Sequence, residues 1–257
     1  MPLNPPIADW AGRRCWLVGA STGIGAATAR LLLARGAKVA VSARNRAALA
    51  GVVAGHAEGL AVPADVTRPE SLAEALGEIR AAWGGVDLVI LLAGAYTPVR
   101  AWELTAAVAR SHVEVNLMGA YHALAAVLPD FLARGAGGIA IVSSVAGYRG
   151  LPKALVYGAT KAALINLAET LYLDLAPRGI AVYVINPGFV ATPMTAANEF
   201  KMPGLVTTEV AAAEIVRGLE HGRFEIHFPR RFTTWLKLLR LAPYRLYFAA
   251  VRRSTGL

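Results

Sequence analysis

The chain has 257 residues, 56% of them apolar and only 17% charged, and carries a net charge of +9. That balance supplies a large core and excludes a mostly disordered chain. The single Cys15 excludes an internal disulfide and fits a reducing, cytoplasmic setting. Met1–Trp10 lacks the basic and apolar regions of a secretory signal, so no export is expected. No run of about 18 apolar residues escapes interruption, so no spanning helix is expected either.

In chain order, Cys15–Val18 is a short apolar run ahead of a Gly-rich turn, and Gly25 to Ala34 reads as a helix stopped at Gly36. Lys38–Ser42 is a β-branched strand, Arg46–Ala54 a weak helix, Leu60–Val62 a short strand, and Pro69–Trp83 a helix ended by Gly84-Gly85. Val86–Leu92 is continuously apolar, as a strand buried on both faces must be. One long helical stretch, Glu103–Leu132, precedes the strand Gly138–Ser143. The helix Leu155–Ala176, the strand Ile180–Ile185, the helix Val210–Leu219 and the strand Phe224–Phe228 complete the body. No repeat of 20 to 50 residues is present. This alternation predicts an α/β fold: a Rossmann-like, doubly wound parallel sheet with helices on both faces. Ligands of such sheets bind beyond the carboxyl ends of the strands, where strand order reverses.

The first loop there, Gly19-Ala20-Ser21-Thr22-Gly23-Ile24-Gly25, joins a strand to a helix. Its glycines let backbone approach a pyrophosphate, which the helix N-terminus favours. Without a ligand, the same spacing is a tight strand-to-helix turn. The second loop, Val41-Ser42-Ala43-Arg44-Asn45-Arg46, has no carboxylate to hold a ribose 2′-hydroxyl. Arg44 offers a cationic fork to a 2′-phosphate instead, which favours NADP(H); solvated loop charge is the plainer alternative. Further on, Tyr157 and Lys161 lie four apart and share a helix face. An ammonium there lowers the pKa of a tyrosine that exchanges a proton with substrate. A packed Tyr and a surface Lys would give the same spacing.

These runs occur in order with Ala64-Asp65-Val66, Asn116 in Val115-Asn116-Leu117-Met118-Gly119, Ser143-Ser144-Val145-Ala146-Gly147 and Asn186-Pro187-Gly188-Phe189-Val190-Ala191-Thr192. Together they closely resemble the short-chain dehydrogenase/reductase superfamily, in its single-domain branch, over roughly Trp10 to Gly222. The resemblance implies a Rossmann-fold NAD(P)-binding catalytic domain over residues 1–222, with a final strand and basic, hydrophobic tail at 223–257. It implies Tyr157 as general acid/base and Lys161 as its pKa partner and ribose ligand. Ser144 would donate to the substrate oxygen; the family's usual Ser-to-Tyr separation selects it over Ser143. Asn116 would hold the long helix and a proton relay to Lys161. Cofactor contacts would come from Gly19, Ser21, Thr22, Gly23, Ile24, Gly25, Arg44, Asp65, Val66, Ala93, Gly94, Asn116, Tyr157, Lys161, Pro187, Gly188, Val190 and Thr192, and no metal is implied. Alone, Asp65 reads equally as a turn cap, Asn116 as a polar insertion that bends its helix, and Pro187-Gly188 as a chain break. One departure stands out: Leu91-Leu92 replaces the family's usual Asn-Asn before Ala93-Gly94, removing side chains that knit neighbouring strands.

The expected activity is NADP(H)-dependent interconversion of a secondary alcohol and a carbonyl. The alternative is a non-catalytic NAD(P)-binding scaffold on the same fold. Met194, Phe200, Met202, Pro203 and Leu205, with only Glu199 and Lys201 charged between Pro193 and Thr208, suggest an apolar substrate or a segment packed on the protein. The resemblance further suggests a dimer or tetramer through Glu103–Leu132 and Leu155–Ala176. Eight basic residues against Glu225 alone place +7 of the net charge between Gly222 and Leu257. There Phe232, Trp235, Leu236 and Leu239 recur at helical spacing, Pro243 interrupts, and Tyr244 to Arg253 is aromatic and basic. Such a tail reads as an anchor lying on the inner membrane face, or as a contact with the protein's own body or a subunit. Nucleic acid is not expected, because no recognisable nucleic-acid module accompanies the charge.

Overall fold

The computed structural model describes residues 2–196, 200 and 202–256. Seven strands form one sheet: β1 (Arg14–Val18), β2 (Lys38–Ser42), β3 (Gly59–Ala61), β4 (Leu88–Leu91), β5 (Gly137–Val142), β6 (Ile180–Pro187) and β7 (Glu225–Phe228). Their order is β3-β2-β1-β4-β5-β6-β7, and every neighbouring pair is parallel. The order reverses between β1 and β4, so the crevice for a ligand opens above those two strands.

The strands obey a period of two that sorts them between two cores. Trp16 and Val18, Val89 and Leu91, and Ile139 and Ile141 face one layer. Cys15 and Leu17, Leu88 and Ile90, and Ala140 and Val142 face the other. Helices α3 (Pro69–Trp83), α5 (Gly119–Arg134) and α6 (Leu155–Leu175) cover the first face. Helices α1 (Gly23–Ala34), α2 (Arg46–Val53) and α7 (Thr208–Glu220) cover the second. Fully burying each Val, Leu or Ile contributes about 1.5–3 kcal/mol, so two dry layers carry most of the fold's stability.

Two readings need correction. Helix α1 starts at Gly23, two residues earlier than expected, because the left-handed Gly23 already turns the chain into the helix. The stretch Glu103–Leu132 is not one regular helix. After a short turn at Ala101–Glu103, α4 (Ala106–Val113) runs into a π-helical turn, Glu114–Met118, and then into α5. The continuous helix Ala106–Arg134 is also long and apolar enough to cross a membrane by length and composition. Here it is a wall of the fold: its buried Ala123, Leu124, Val127 and Phe131 pack in the first core. Two further helices close the chain, α8 (Arg230–Arg240) and α9 (Tyr244–Thr255).

Candidate active site

A cleft of about 750 Å³ opens above the carboxyl ends of β1, β2, β4, β5 and β6. The Gly-rich turn forms one wall. Gly19 has φ +95°, and a Cβ on it would fall 2.3 Å from the Ala93 nitrogen. The first loop thus lies directly on the exit of β4, and only glycine permits it. A Cβ on Gly25 would fall 2.5 Å from the Gly19 carbonyl, so α1 also begins in contact with the turn. The Thr22 side chain does not cap α1, and its first turn holds no carboxylate. Gly23, Ile24 and Gly25 therefore present the helix start to the cleft. This is a cradle shaped for a diphosphate.

Arg44, Asp65 and Val66 line the end beside β2 and β3. Arg44 enters none of the ion pairs among the described residues. Asp65 does cap a turn: its Oδ1 accepts from the Thr67 backbone N–H at 2.9 Å and from Thr67 Oγ1 at 2.8 Å. The bond from the Thr67 N–H, with Arg44 and Arg68 nearby, holds the carboxyl below its usual range. Both turn bonds fall on Oδ1, so a capping role and a ligand role are compatible.

The loss of the two Asn side chains is made good by backbone and packing. Both the Leu92 and Ala93 N–H groups donate to the Val18 carbonyl, at 2.7 and 2.9 Å, joining β4 to β1. Leu91 is buried in one core and Leu92 packs against the other. Ala93 and Gly94 line the cleft as expected.

Ser144, Tyr157 and Lys161 converge at the other end. Ser144 follows β5, and its Oγ accepts from the Ala146 N–H at 3.1 Å. Its neighbour Ser143 is spent on structure, donating from Oγ to the Lys161 carbonyl at 2.7 Å. Lys161 is 3% exposed and donates from Nζ to the Val142 carbonyl at 2.9 Å. Its Nζ lies 5.6 Å from the centre of the Tyr157 ring. Burial pulls the Lys161 ammonium down to about 8. Burial also pushes the Tyr157 hydroxyl up to about 12, against a hydrogen bond with Ser144 that favours ionisation. Desolvation thus outweighs the lowering of the tyrosine expected from Lys161. Desolvation acts on both groups and disfavours both charges.

Asn116 does not line the cleft. Its Oδ1 accepts from the Ala95 N–H at 2.6 Å, while Nδ2 donates to the Ala95 carbonyl and to Thr160 Oγ1, both at 3.0 Å. Thr160 Oγ1 in turn donates to the Tyr157 carbonyl at 2.8 Å. Asn116 therefore positions the loop after β4 against α6, and the π turn aims it there. The remaining expected residues, Pro187, Gly188, Val190 and Thr192, line the cleft beyond β6. A Cβ on Gly23 would come 3.1 Å from Thr192 Cγ2, so this segment reaches across to the start of α1. Met194 lines the cleft too. Glu199 and Lys201 lie outside the described residues.

Two contributors were not read from the sequence. Tyr96 meets the Tyr157 ring edge-on at 5.0 Å. His112, buried in α4, accepts at Nε2 from the Thr97 N–H at 3.0 Å and fixes the same loop. The position of Tyr96 just past the carboxyl end of β4 is the signal that could have found it.

Comparison with known proteins agrees with this geometry. The sequence profile of the family described as short chain dehydrogenase matches residues 14–202. An uncharacterized oxidoreductase of Myxococcus xanthus (strain DK1622) is 34% identical over 251 residues, 96% of this chain and 99% of that one. Among solved structures, a chain described as ribose-5-phosphate isomerase from Brucella melitensis 16M superposes with TM-score 0.78. It is 28% identical and covers 86% of this chain and 93% of its own. A 3-ketoacyl-(acyl-carrier-protein) reductase from Brucella melitensis, complexed with NADH, superposes with TM-score 0.80. At 24% identity, over 86% of this chain and 98% of that one, it speaks to the fold alone. The chain belongs to the short-chain dehydrogenase family and is an enzyme of NAD(P)-dependent oxidoreduction. Which alcohol or carbonyl it takes must be argued from its own site.

Proposed function

We propose that this enzyme interconverts a secondary alcohol and a carbonyl on an apolar substrate, with NADP(H) as the hydride carrier. The observation that carries the reading is one cleft with Ser144, Tyr157 and Lys161 at one end and Arg44, in no ion pair among the described residues, at the other. The nicotinamide supplies or accepts the hydride. Arg44 holds the 2′-phosphate and the start of α1 the diphosphate. In reduction, Ser144 donates a hydrogen bond to the carbonyl oxygen and the Tyr157 hydroxyl gives it a proton. Lys161 holds the ribose and restores charge when Tyr157 ionises. Tyr96 and Met194 bound the substrate end with apolar surface, which supports a hydrophobic carbonyl. The intact catalytic set favours this over a scaffold.

Absorbance of NADPH should fall on adding members of a panel of apolar ketones and aldehydes. Tyr157→Phe should lose turnover by about 10²–10⁴-fold while NADPH affinity stays near wild type. A Tyr157→Phe enzyme that turns over normally would refute the assignment. We also infer a cytoplasmic homo-oligomer. Only a third of the most apolar stretch of Ala106–Arg134 is buried within one chain, and Tyr121, Leu132 and Leu173 on α5 and α6 are exposed.

A further inference from the structure

Helices α8 and α9 have two faces with different work. The inner face is tied to the loop that follows Ser144. Arg149 donates from Nη1 to the carbonyls of Leu239, Arg240 and Ala242, at 3.3, 3.1 and 2.6 Å, closing the C-terminal end of α8. Its guanidinium also lies 4.7 Å and 4.1 Å from the rings of Tyr244 and Tyr247. Tyr247 donates from its hydroxyl to the Gly150 carbonyl at 2.6 Å. Glu225 receives Lys237, Tyr148 and Asn186 together. Docking onto the protein's own body, one of the expectations for the tail, is therefore realised on this face.

The outer face should be polar if it met only water. It is not: Trp235, Leu238, Leu241, Leu246 and Phe248 are 49 to 81% exposed. Six exposed arginines between Arg230 and Arg253 surround them. No carboxylate follows Glu225 in the sequence, and Glu225 is already engaged. The half-buried Phe232, on the core side of α8, leads from the tail toward the cleft. Phe232 on α8 meets Phe189 at 5.8 Å, and Phe189 meets the exposed Phe200 at 5.7 Å, in the segment that begins beside Met194.

We propose that the outer face of α8 and α9 docks on an anionic lipid surface. Interfacial aromatics and leucines enter the headgroup boundary while the arginines meet lipid phosphate. A second copy of the same face would set like charges against each other. A nucleic acid would leave the leucines without an apolar partner. Docked this way, the enzyme holds its cleft mouth beside the lipid. The proposal rests on surface chemistry and not on the oxidoreductase reading, so either can fail alone.

The full chain should be sedimented with vesicles of phosphatidylcholine containing phosphatidylglycerol, and with phosphatidylcholine alone, at about 0.1 M salt. Pelleting is expected with the anionic vesicles only. The triple variant Arg231→Gln, Arg245→Gln, Arg252→Gln should weaken partitioning about fivefold per arginine, on the order of a hundredfold together. The pair Leu238→Ser and Leu241→Ser, which alters exposed side chains and no charge, should also abolish pelleting. Circular dichroism and NADPH affinity should match wild type in both, showing that they fold. No pelleting by wild type would overturn the proposal. So would pelleting unchanged in the serine pair, or duplex DNA bound more tightly than anionic vesicles at the same salt.

Discussion

Lys161 is buried and Tyr157 half-buried in one corner of the cleft, and desolvation sets both pKa values against charge. The consequence for stability has a definite sign. The folded-state value for Lys161 lies near 8, below the ordinary 10.5. Between those values the unfolded chain binds more protons, so stability rises with pH across that window and the lysine costs most below it. Thermal unfolding of the protein should show that rise from pH 8 to 9, below the range where the buried Cys15 thiol opposes it, and Lys161→Met should flatten it. An identical slope in the variant would mean that Lys161 is not buried as described. Spacing put Tyr157 and Lys161 on one helix face, and the family resemblance gave them, with Ser144, their roles. Burial was not legible, so the direction of the tyrosine shift was not either. The resemblance selected Ser144 over Ser143, and the bond from Ser143 to the Lys161 carbonyl gives the physical reason for their different work.

The elements themselves were mostly legible, because the buried parallel strands are short, apolar and bounded by turns. The π turn was not, since one extra residue in a turn leaves an apolar helical pattern looking continuous. Yet that turn places Asn116, whose three side-chain bonds tie the loop after β4 to α6. Asn116→Ala should orphan the Ala95 N–H and carbonyl, at about 1–3 kcal/mol per group left unmade. Urea unfolding should register that loss, and kcat should fall more than NADPH affinity, because Asn116 positions Tyr157 without lining the cleft. Unchanged stability would contradict the bonding described. The tail helices were legible as amphipathic and basic, but not their attachment. Arg149 lies far from both tail helices in sequence and looks like an ordinary surface charge until the fold sets it against Tyr247 and the end of α8.

For the molecule as a whole, charge is segregated: the body is nearly neutral and the last 36 residues carry the excess. On α5 and α6, Tyr121, Leu132 and Leu173 are exposed instead, with the carboxylates Glu169 and Asp174 beside Leu173. Self-association should therefore use those helices and not the tail. Light scattering after size-exclusion chromatography should report a dimer or tetramer, and Leu132→Lys with Leu173→Lys should shift it toward monomer. Wild type that elutes as a monomer would contradict the assembly reading. The cofactor reading binds all three scales together, since it joins Arg44, the turn before α1 and the reversal of strand order. Its most direct test is a titration of wild type and Arg44→Asp with NADPH and NADH, followed by reduced-nicotinamide fluorescence. The account predicts tight NADPH binding by wild type, collapse of that binding in Arg44→Asp, and weaker NADH binding that survives. Preference of wild type for NADH, or NADPH binding indifferent to the substitution, would contradict it.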